Sequence, residues 1–211
     1  MHALRRPLPY REYNVALILI AVNFFVFFVT NVRPQMLTYL AMNPVLVLRG
    51  GYFWTPFTYM FAHANMSHVL FNMLGLFFFG TQVERRIGSL EFLAFYLVTG
   101  LLAGLFSLAV YWFTGGYMVF LLGASGAIFA VLLAFATFFP GAYIYLFFVL
   151  PVKAPYLVIG YTVLELFNSV AGRGGNVAHF THLAGFVFAF LYLFARLQIN
   201  PIQVFLNSRR Y

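Results

Sequence analysis

An all-α membrane protein, a bundle of six transmembrane helices with a large interfacial first loop, is the fold class that three observations predict. First, 64% of the 211 residues are hydrophobic and only 8% charged, against about 25% charged in soluble domains, and mean hydropathy is +0.91. Second, the chain breaks into six apolar runs near the ~20 residues that cross a ~30 Å hydrocarbon core. Third, Lys and Arg fall unevenly between the two faces those runs define. Arg5, Arg6, Arg11, Arg85, Arg86, Lys153, Arg196, Arg209 and Arg210 gather on one side, and only Arg33, Arg49 and Arg173 on the other. The positive-inside rule puts the nine, and both termini, in the cytoplasm. The formal charge of +8 follows from that topology, so no nucleic-acid partner is expected.

The spans are expected over residues 15–32, 67–83, 90–113, 121–139, 156–171 and 178–197, in one membrane domain covering 1–211. Residues 33–65, with Pro34, Pro44, Gly50, Gly51 and Pro56, are too broken to span and too apolar to float free. They read as a loop partly embedded at the interface, anchored by Tyr52, Phe53 and Trp54. Pro140-Gly141 ends the fourth span. Residues 142–150 are too few for a helical crossing and read as an extended interfacial loop. Arg173-Gly174-Gly175-Asn176 reads as a turn, and a short tail follows the sixth span. The basic start lacks a small-residue cleavage site after its apolar run, which favours a retained helix over a removed signal peptide.

The chain has no Cys and no Asp, which removes thiol chemistry, disulfides and Cys-ligated metal sites. Polar groups inside a bilayer are costly and are functional-site candidates by default. Four stand out: His63 with His68 and Asn72 at the outer start of span two, Gly123-Ala-Ser125-Gly126 at that of span four, His179 and His182 at that of span six, and Glu165 within span five. His68 and Asn72, four apart, share one helix face. The first three clusters lie at similar shallow depth on one side. A Ser beside a His makes a nucleophile and its general base, while His68, Asn72 and backbone N–H groups at the start of span four can stabilise an oxyanion. Small residues recur every four positions, at Gly126, Ala130 and Ala134 and at Gly185 and Ala189, and suit close helix packing. His63 and His179 read as interfacial residues. His179 and His182 also have metal-ligand spacing, but without Cys, Asp or an H-E-x-x-H pattern no metal is expected. Glu165, whose depth on its helix could overlap that of Ser125, reads either as an acid that orients His182 or as a packing or gate residue satisfied by a neighbouring donor. The second is expected, so that its neutralisation to Gln keeps most activity.

These residues resemble the rhomboid intramembrane serine proteases, through most of the chain and in order. Trp54-Thr-Pro-Phe-Thr-Tyr-Met-Phe-Ala-His63 resembles that family's first-loop segment, and His68-x-x-x-Asn72 its span-two motif. Glu84-Arg-Arg-Ile-Gly-Ser89 is similar to its turn into span three. Gly123-x-Ser125-Gly126 is similar to its nucleophile motif and His182-x-x-Gly185 to its histidine motif. The resemblance implies a six-helix bundle of rhomboid type whose Ser125 is the nucleophile and His182 the general base, with no acid completing a triad. His68, Asn72 and the Ser125 amide would form the oxyanion hole, and Gly123, Gly126 and Gly185 would let spans four and six approach. There are departures: Thr55-Pro56 follows Trp54 where many members have Arg, Phe129 stands where some have Tyr, and Ala189 stands where a second Gly often sits.

The implied activity is serine endoproteolysis of single-span membrane proteins near their outer boundary, without a cofactor. The partners are those substrates and the lipid bilayer, and the expected location is a bacterial inner membrane. With six spans and no cytosolic N-terminal domain, the form implied is the minimal one. A non-enzymatic relative that binds transmembrane segments would be expected to lack Ser125 or His182. A His- and Glu-based ion carrier would need polar groups deep in both halves.

Overall fold

Apolar residues on every face make α1 (Val15–Val32) a helix of 18 residues. Its preceding residue, Asn14, sits at φ 55° and makes no cap. The carboxylate of Glu84 replaces it, accepting from the amides of Val15 at 2.6 Å and Ala16 at 2.8 Å and from the Ser89 hydroxyl. The computed structural model describes residues 7–146, 149–171 and 176–207. The turn expected at 173–175 and the basic residues Arg5, Arg6, Arg173, Arg209 and Arg210 lie outside the described residues.

The first loop folds into short helices: α2 (Gln35–Leu40), α3 (Pro44–Leu48), α4 (Thr55–Thr58) and a 3₁₀ turn over Tyr59–Phe61. Asn43 starts α3 by accepting from the amides of Val45 and Leu46, with Pro44 in the first turn, where its missing N–H costs nothing. Trp54 Nε1 donates to the Tyr39 carbonyl at 2.7 Å, and Thr58 to that of Leu40 at 2.9 Å. Tyr59, fully buried, donates its hydroxyl to the Gly100 carbonyl at 2.7 Å and ties the loop to the bundle. Phe53 and Trp54 remain exposed.

α5 (Met66–Gly75), a π-helical turn (Leu76–Gly80) and α6 (Thr81–Ile87) form one continuous crossing, and α7 (Ser89–Thr114) follows after Gly88. With α1 these are the three helices, among the described residues, long and apolar enough to cross a membrane by themselves. The fourth span differs from the hydropathy reading. Its helix, α8 (Ser125–Phe138), has 14 residues and starts four later than 121. Leu121 instead exchanges two backbone hydrogen bonds with Met42, at 2.8 and 2.9 Å, and the Gly123 amide donates to the Tyr59 carbonyl at 2.9 Å. Asn43 adds donors to the carbonyls of Tyr117 and Val119. Non-helical backbone at membrane depth survives only when protein satisfies it, and the first loop supplies those partners.

Two strands follow α8 and pair as a hairpin, β1 (Tyr143–Leu146) against β2 (Leu150–Lys153), antiparallel with Tyr143 opposite Lys153. α9 (Ala154–Ala171), α10 (Asn176–Ala195) and a tail helix α11 (Pro201–Asn207), unread in the hydropathy, complete the chain. α8 packs on α7, α9 and α10, its seam lined by fully buried Ala130 and Ala134, with Ala189 of α10 also fully buried. At the far end from Ser125, Glu91 is 1% exposed. Its carboxylate accepts from Arg196 at 2.5 and 2.8 Å, Tyr192 at 2.6 Å and the Leu8 amide at 2.8 Å. Residues before α1 and after α10 thus meet on one carboxylate, at the same end of the bundle.

Candidate active site

Four helix segments bring the polar clusters together. The Asn65 side chain caps α5 by accepting from the His68 amide at 2.8 Å, which sets His68 in the first turn. Asn72, one turn on, donates to the His68 carbonyl at 2.8 Å and is buried. Ser125 opens α8, where the first N–H groups have no intrahelical acceptor. His182 lies in the second turn of α10. Its Nε2 is 2.8 Å from Ser125 Oγ, within reach for proton transfer.

Ring stacking and backbone contact hold that pair. Phe129, one turn along α8 from Ser125, stacks on the His182 imidazole with centroids 4.2 Å apart and planes 8° from parallel. Gly185, three residues past His182, packs directly on the Gly126 carbonyl, leaving no room for a Cβ, and a Cβ on Gly126 would lie 3.0 Å from the Thr181 methyl. Gly126 and Gly185 therefore do bring α8 and α10 together. Gly123 does something else, which corrects its expected role between those helices. It precedes α8 at φ +116°, a conformation L side chains rarely adopt, and a Cβ there would lie 2.6 Å from the His68 ring. Its bareness seats His68 beside the loop that leads into Ser125.

A cavity of about 420 Å³ opens onto Ser125, lined also by Asn72, Phe71, Phe129, Leu157 and Tyr161. It lies between α5 and α9, with Ile144 and Leu146 of the hairpin on its wall. The lining is mostly apolar, and Ser125 and Asn72 are its convergent polar groups.

Three placements go beyond the sequence reading. His63, expected at the interface, is 2% exposed. Its Nε2 accepts from the Ala124 amide at 3.4 Å, and its ring meets His68 edge-on at 5.0 Å. Burial pushes its pKa down to about 4, helped by His68, so it is a neutral prop at pH 7. Glu165, 7% exposed on α9, sets its Oε1 2.9 Å from His182 Nδ1. Its other oxygen bonds His179 Nδ1, which gives His179 a partner within the bundle. The two His are three apart on α10, so one carboxylate from α9 reaches both. The sequence signal was there: one intramembrane acid and one His left without a role on successive spans. The donor atoms of Glu165, His179 and His182 lie within 4.8 Å of one another, and the carboxylate between two ring nitrogens accounts for that cluster.

Comparison with known proteins identifies the family. The Rhomboid domain family model matches residues 50–199. The chain is 30% identical over 189 residues to RHOMBOID-like protein 12, mitochondrial, of Arabidopsis thaliana, covering 82% of this chain and 55% of that protein. It is 34% identical over 138 residues to Rhomboid protein 1, mitochondrial, of Saccharomyces cerevisiae, covering 63% and 38%. It is also 39% identical over 51 residues to the Rhomboid protease GlpG of Salmonella choleraesuis, covering 24% and 18%. The chain spans about half the length, or less, of these curated relatives. Family match, helical membrane fold and motif order converge: this chain is an integral membrane protein that belongs to the rhomboid family.

Proposed function

We propose that the chain is an intramembrane serine endopeptidase acting on single-span membrane proteins near their outer membrane boundary. The observation that carries this reading is the 2.8 Å approach of His182 Nε2 to Ser125 Oγ at the wall of a largely apolar cavity between α5 and α9. In this mechanism the Ser125 hydroxyl gives its proton to His182 Nε2 as Oγ bonds to the scissile carbonyl carbon. The carbonyl π electrons move onto oxygen, and the oxyanion is met by the N–H of Ser125 with donors from His68 and Asn72. Collapse of that adduct breaks the C–N bond, and His182 returns the proton to the departing amine. Water, activated by the same imidazole, then releases the acyl group from Ser125.

An apolar cavity with few polar groups suits a transmembrane segment better than a soluble peptide. The basic end of the bundle, where Leu8 and Arg196 meet at Glu91, is the cytoplasmic side by the positive-inside rule, and Ser125 faces the opposite one. The named relatives are from a plant, a yeast and a bacterium and do not single out the bacterial inner membrane expected earlier. Labelling of the purified chain by a fluorophosphonate probe, with cleavage of a reconstituted single-span protein, tests the reading. Wild type is expected to label and cleave and S125A to do neither. Equal labelling of both refutes it.

A further inference from the structure

We infer that Glu165 is a third member of the catalytic unit, a positioning residue that holds His182 as a base toward Ser125 and is itself held by His179. The inference rests on the protease reading above and adds to it a group that a Ser–His pair does not include. Three observations on two helices carry it.

The first is connectivity. His182 spends both ring nitrogens in one line, Nε2 toward Ser125 Oγ at 2.8 Å and Nδ1 toward Glu165 Oε1 at 2.9 Å. A carboxylate only accepts, so the proton between Glu165 and His182 sits on Nδ1. Nε2 is then left with its lone pair aimed at the serine hydroxyl, which is the tautomer a general base needs. Without an acceptor at Nδ1 the imidazole is free to adopt the opposite tautomer, which presents an N–H to Ser125 and cannot take its proton.

The second is orientation. Phe129 stacked on the ring at 8° fixes its plane, while rotation within that plane is left open. The bond to Glu165 closes that freedom. The third is the fate of the second oxygen. Glu165 is 7% exposed, and a buried carboxylate with an idle oxygen would be unfavourable. His179 Nδ1 occupies it, one turn from His182 on the same face of α10. The other acids have different occupations: Glu84 caps α1, Glu91 binds Arg196, and Glu12 accepts from Tyr10. Glu165 alone is directed at the site.

In the reaction the Nδ1 proton stays on His182. As Nε2 takes the proton of Ser125, the imidazole becomes a cation 2.9 Å from a carboxylate, a charge pair that exists only once the serine has been deprotonated. Stabilisation confined to that stage raises kcat rather than tightening substrate binding.

The test uses the full chain in detergent micelles. It reads the fluorophosphonate labelling rate, kcat and KM for cleavage of a single-span substrate, and thermal melting. E165Q is expected to lower kcat and labelling by about 10²-fold or more, toward the ~10⁴-fold seen when a triad acid is neutralised. KM should stay within about threefold of wild type. E165D, which keeps the charge, is expected to recover at least about a tenth of the wild-type rate. H179Q leaves Ser125, His182 and Glu165 in place and is expected to lower kcat about three- to thirtyfold at unchanged KM. If E165Q does not fold, E165D and H179Q decide the matter by the same kcat-against-KM split. Wild-type kcat in E165Q, or in H179Q where E165Q is unfolded, overturns the inference. So does activity that EDTA abolishes and Zn²⁺ restores, which would give the three side chains to a metal. The two failures are distinguishable: wild type that labels no faster than S125A sinks the protease reading, whereas labelling shared equally by wild type and E165Q sinks only the role of Glu165.

Discussion

A single methyl group at Gly185 provides the sharpest physical test of how the site is held. The hydrogen of Gly185 that faces α8 points at the Gly126 carbonyl, with the Gly126 carbonyl carbon 3.1 Å and Phe129 Cβ 3.4 Å from where a Cβ would stand. G185A drives that methyl into backbone, which cannot rotate away as a side chain can. Restoring ordinary contact requires α8 and α10 to part by about 1 Å. Ser125 and His182 sit on those same two helices, so a 2.8 Å hydrogen bond stretches toward ~3.8 Å, past useful length. Misplacement by 1 Å can cost about 10² in rate, and overpacking of this kind costs about 1–3 kcal/mol of stability. The neighbouring change is milder: a methyl on Gly126 meets the Thr181 methyl at 3.0 Å, Ala103 Cβ at 3.3 Å and the Tyr59 hydroxyl at 3.4 Å, all side-chain atoms. G160A on α9, with nothing within 4 Å of the new methyl, serves as control. Fluorophosphonate labelling rates should rank G160A near wild type, then G126A, then G185A roughly 10²-fold down. Labelling of G185A within threefold of wild type, with unchanged melting, would refute the claim that backbone contact sets the Ser–His distance.

Further outcomes follow from other contacts. S125A and H182A should each abolish cleavage with the double variant no worse, since such a pair acts as a unit. H68A and N72A should retain residual turnover, down about 10²–10³-fold; complete loss in a folded protein would refute a role limited to hydrogen bonding. R196M leaves the Glu91 carboxylate buried and short of its cation, so chemical denaturation should show a loss of about 3 kcal/mol. E91L combined with R196M should regain most of it, and no difference between the two would refute the pairing. His63 has a pKa depressed from 6.5 to about 4, so its contribution to stability is complete above pH 6.5 and drains away as pH falls toward 4, by up to about 3 kcal/mol. Melting temperature across that range should therefore fall more steeply in wild type than in H63Q, and parallel curves would count against it.

The limits of α1 agree with the hydropathy reading because an apolar run bounded by polar residues is a local property. Ser125, His68, Asn72 and His182 were legible as candidates because their motifs open spans two, four and six on one side, and the structure brings Ser125 and His182 within a hydrogen bond. The start of α8 was not legible. Leu121 and Leu122 are as apolar as a helix interior, and what keeps them out of the helix is a partner strand at Met42, 79 positions earlier. The facing of Glu165 was not legible for a related reason. Its depth on α9 could be estimated from the helical rise, but which way it faces depends on how α9 packs against α10. His63 looked interfacial because a histidine next to a loop usually is, and only the fold of residues 33–65 back over α8 buries it. Tertiary contacts across long separations decided each of these.

The shortness of α8 has an electrostatic consequence. Fourteen residues span about 21 Å, some 9 Å less than a ~30 Å hydrocarbon core. Were Phe138 set at one boundary, Ser125 would lie about 9 Å below the other. An α-helix carries about half a positive elementary charge at its N-terminus, and at a membrane surface water would screen it. Sunk below the boundary and walled by Leu157, Phe129 and Phe71, the same half charge acts through a lower dielectric, where Coulomb energies rise severalfold. An oxyanion forming beside Ser125 would meet a field that a full-length span, starting at the headgroups, could not supply. On the protease reading, the roughly six residues that α8 lacks would themselves be part of the chemistry.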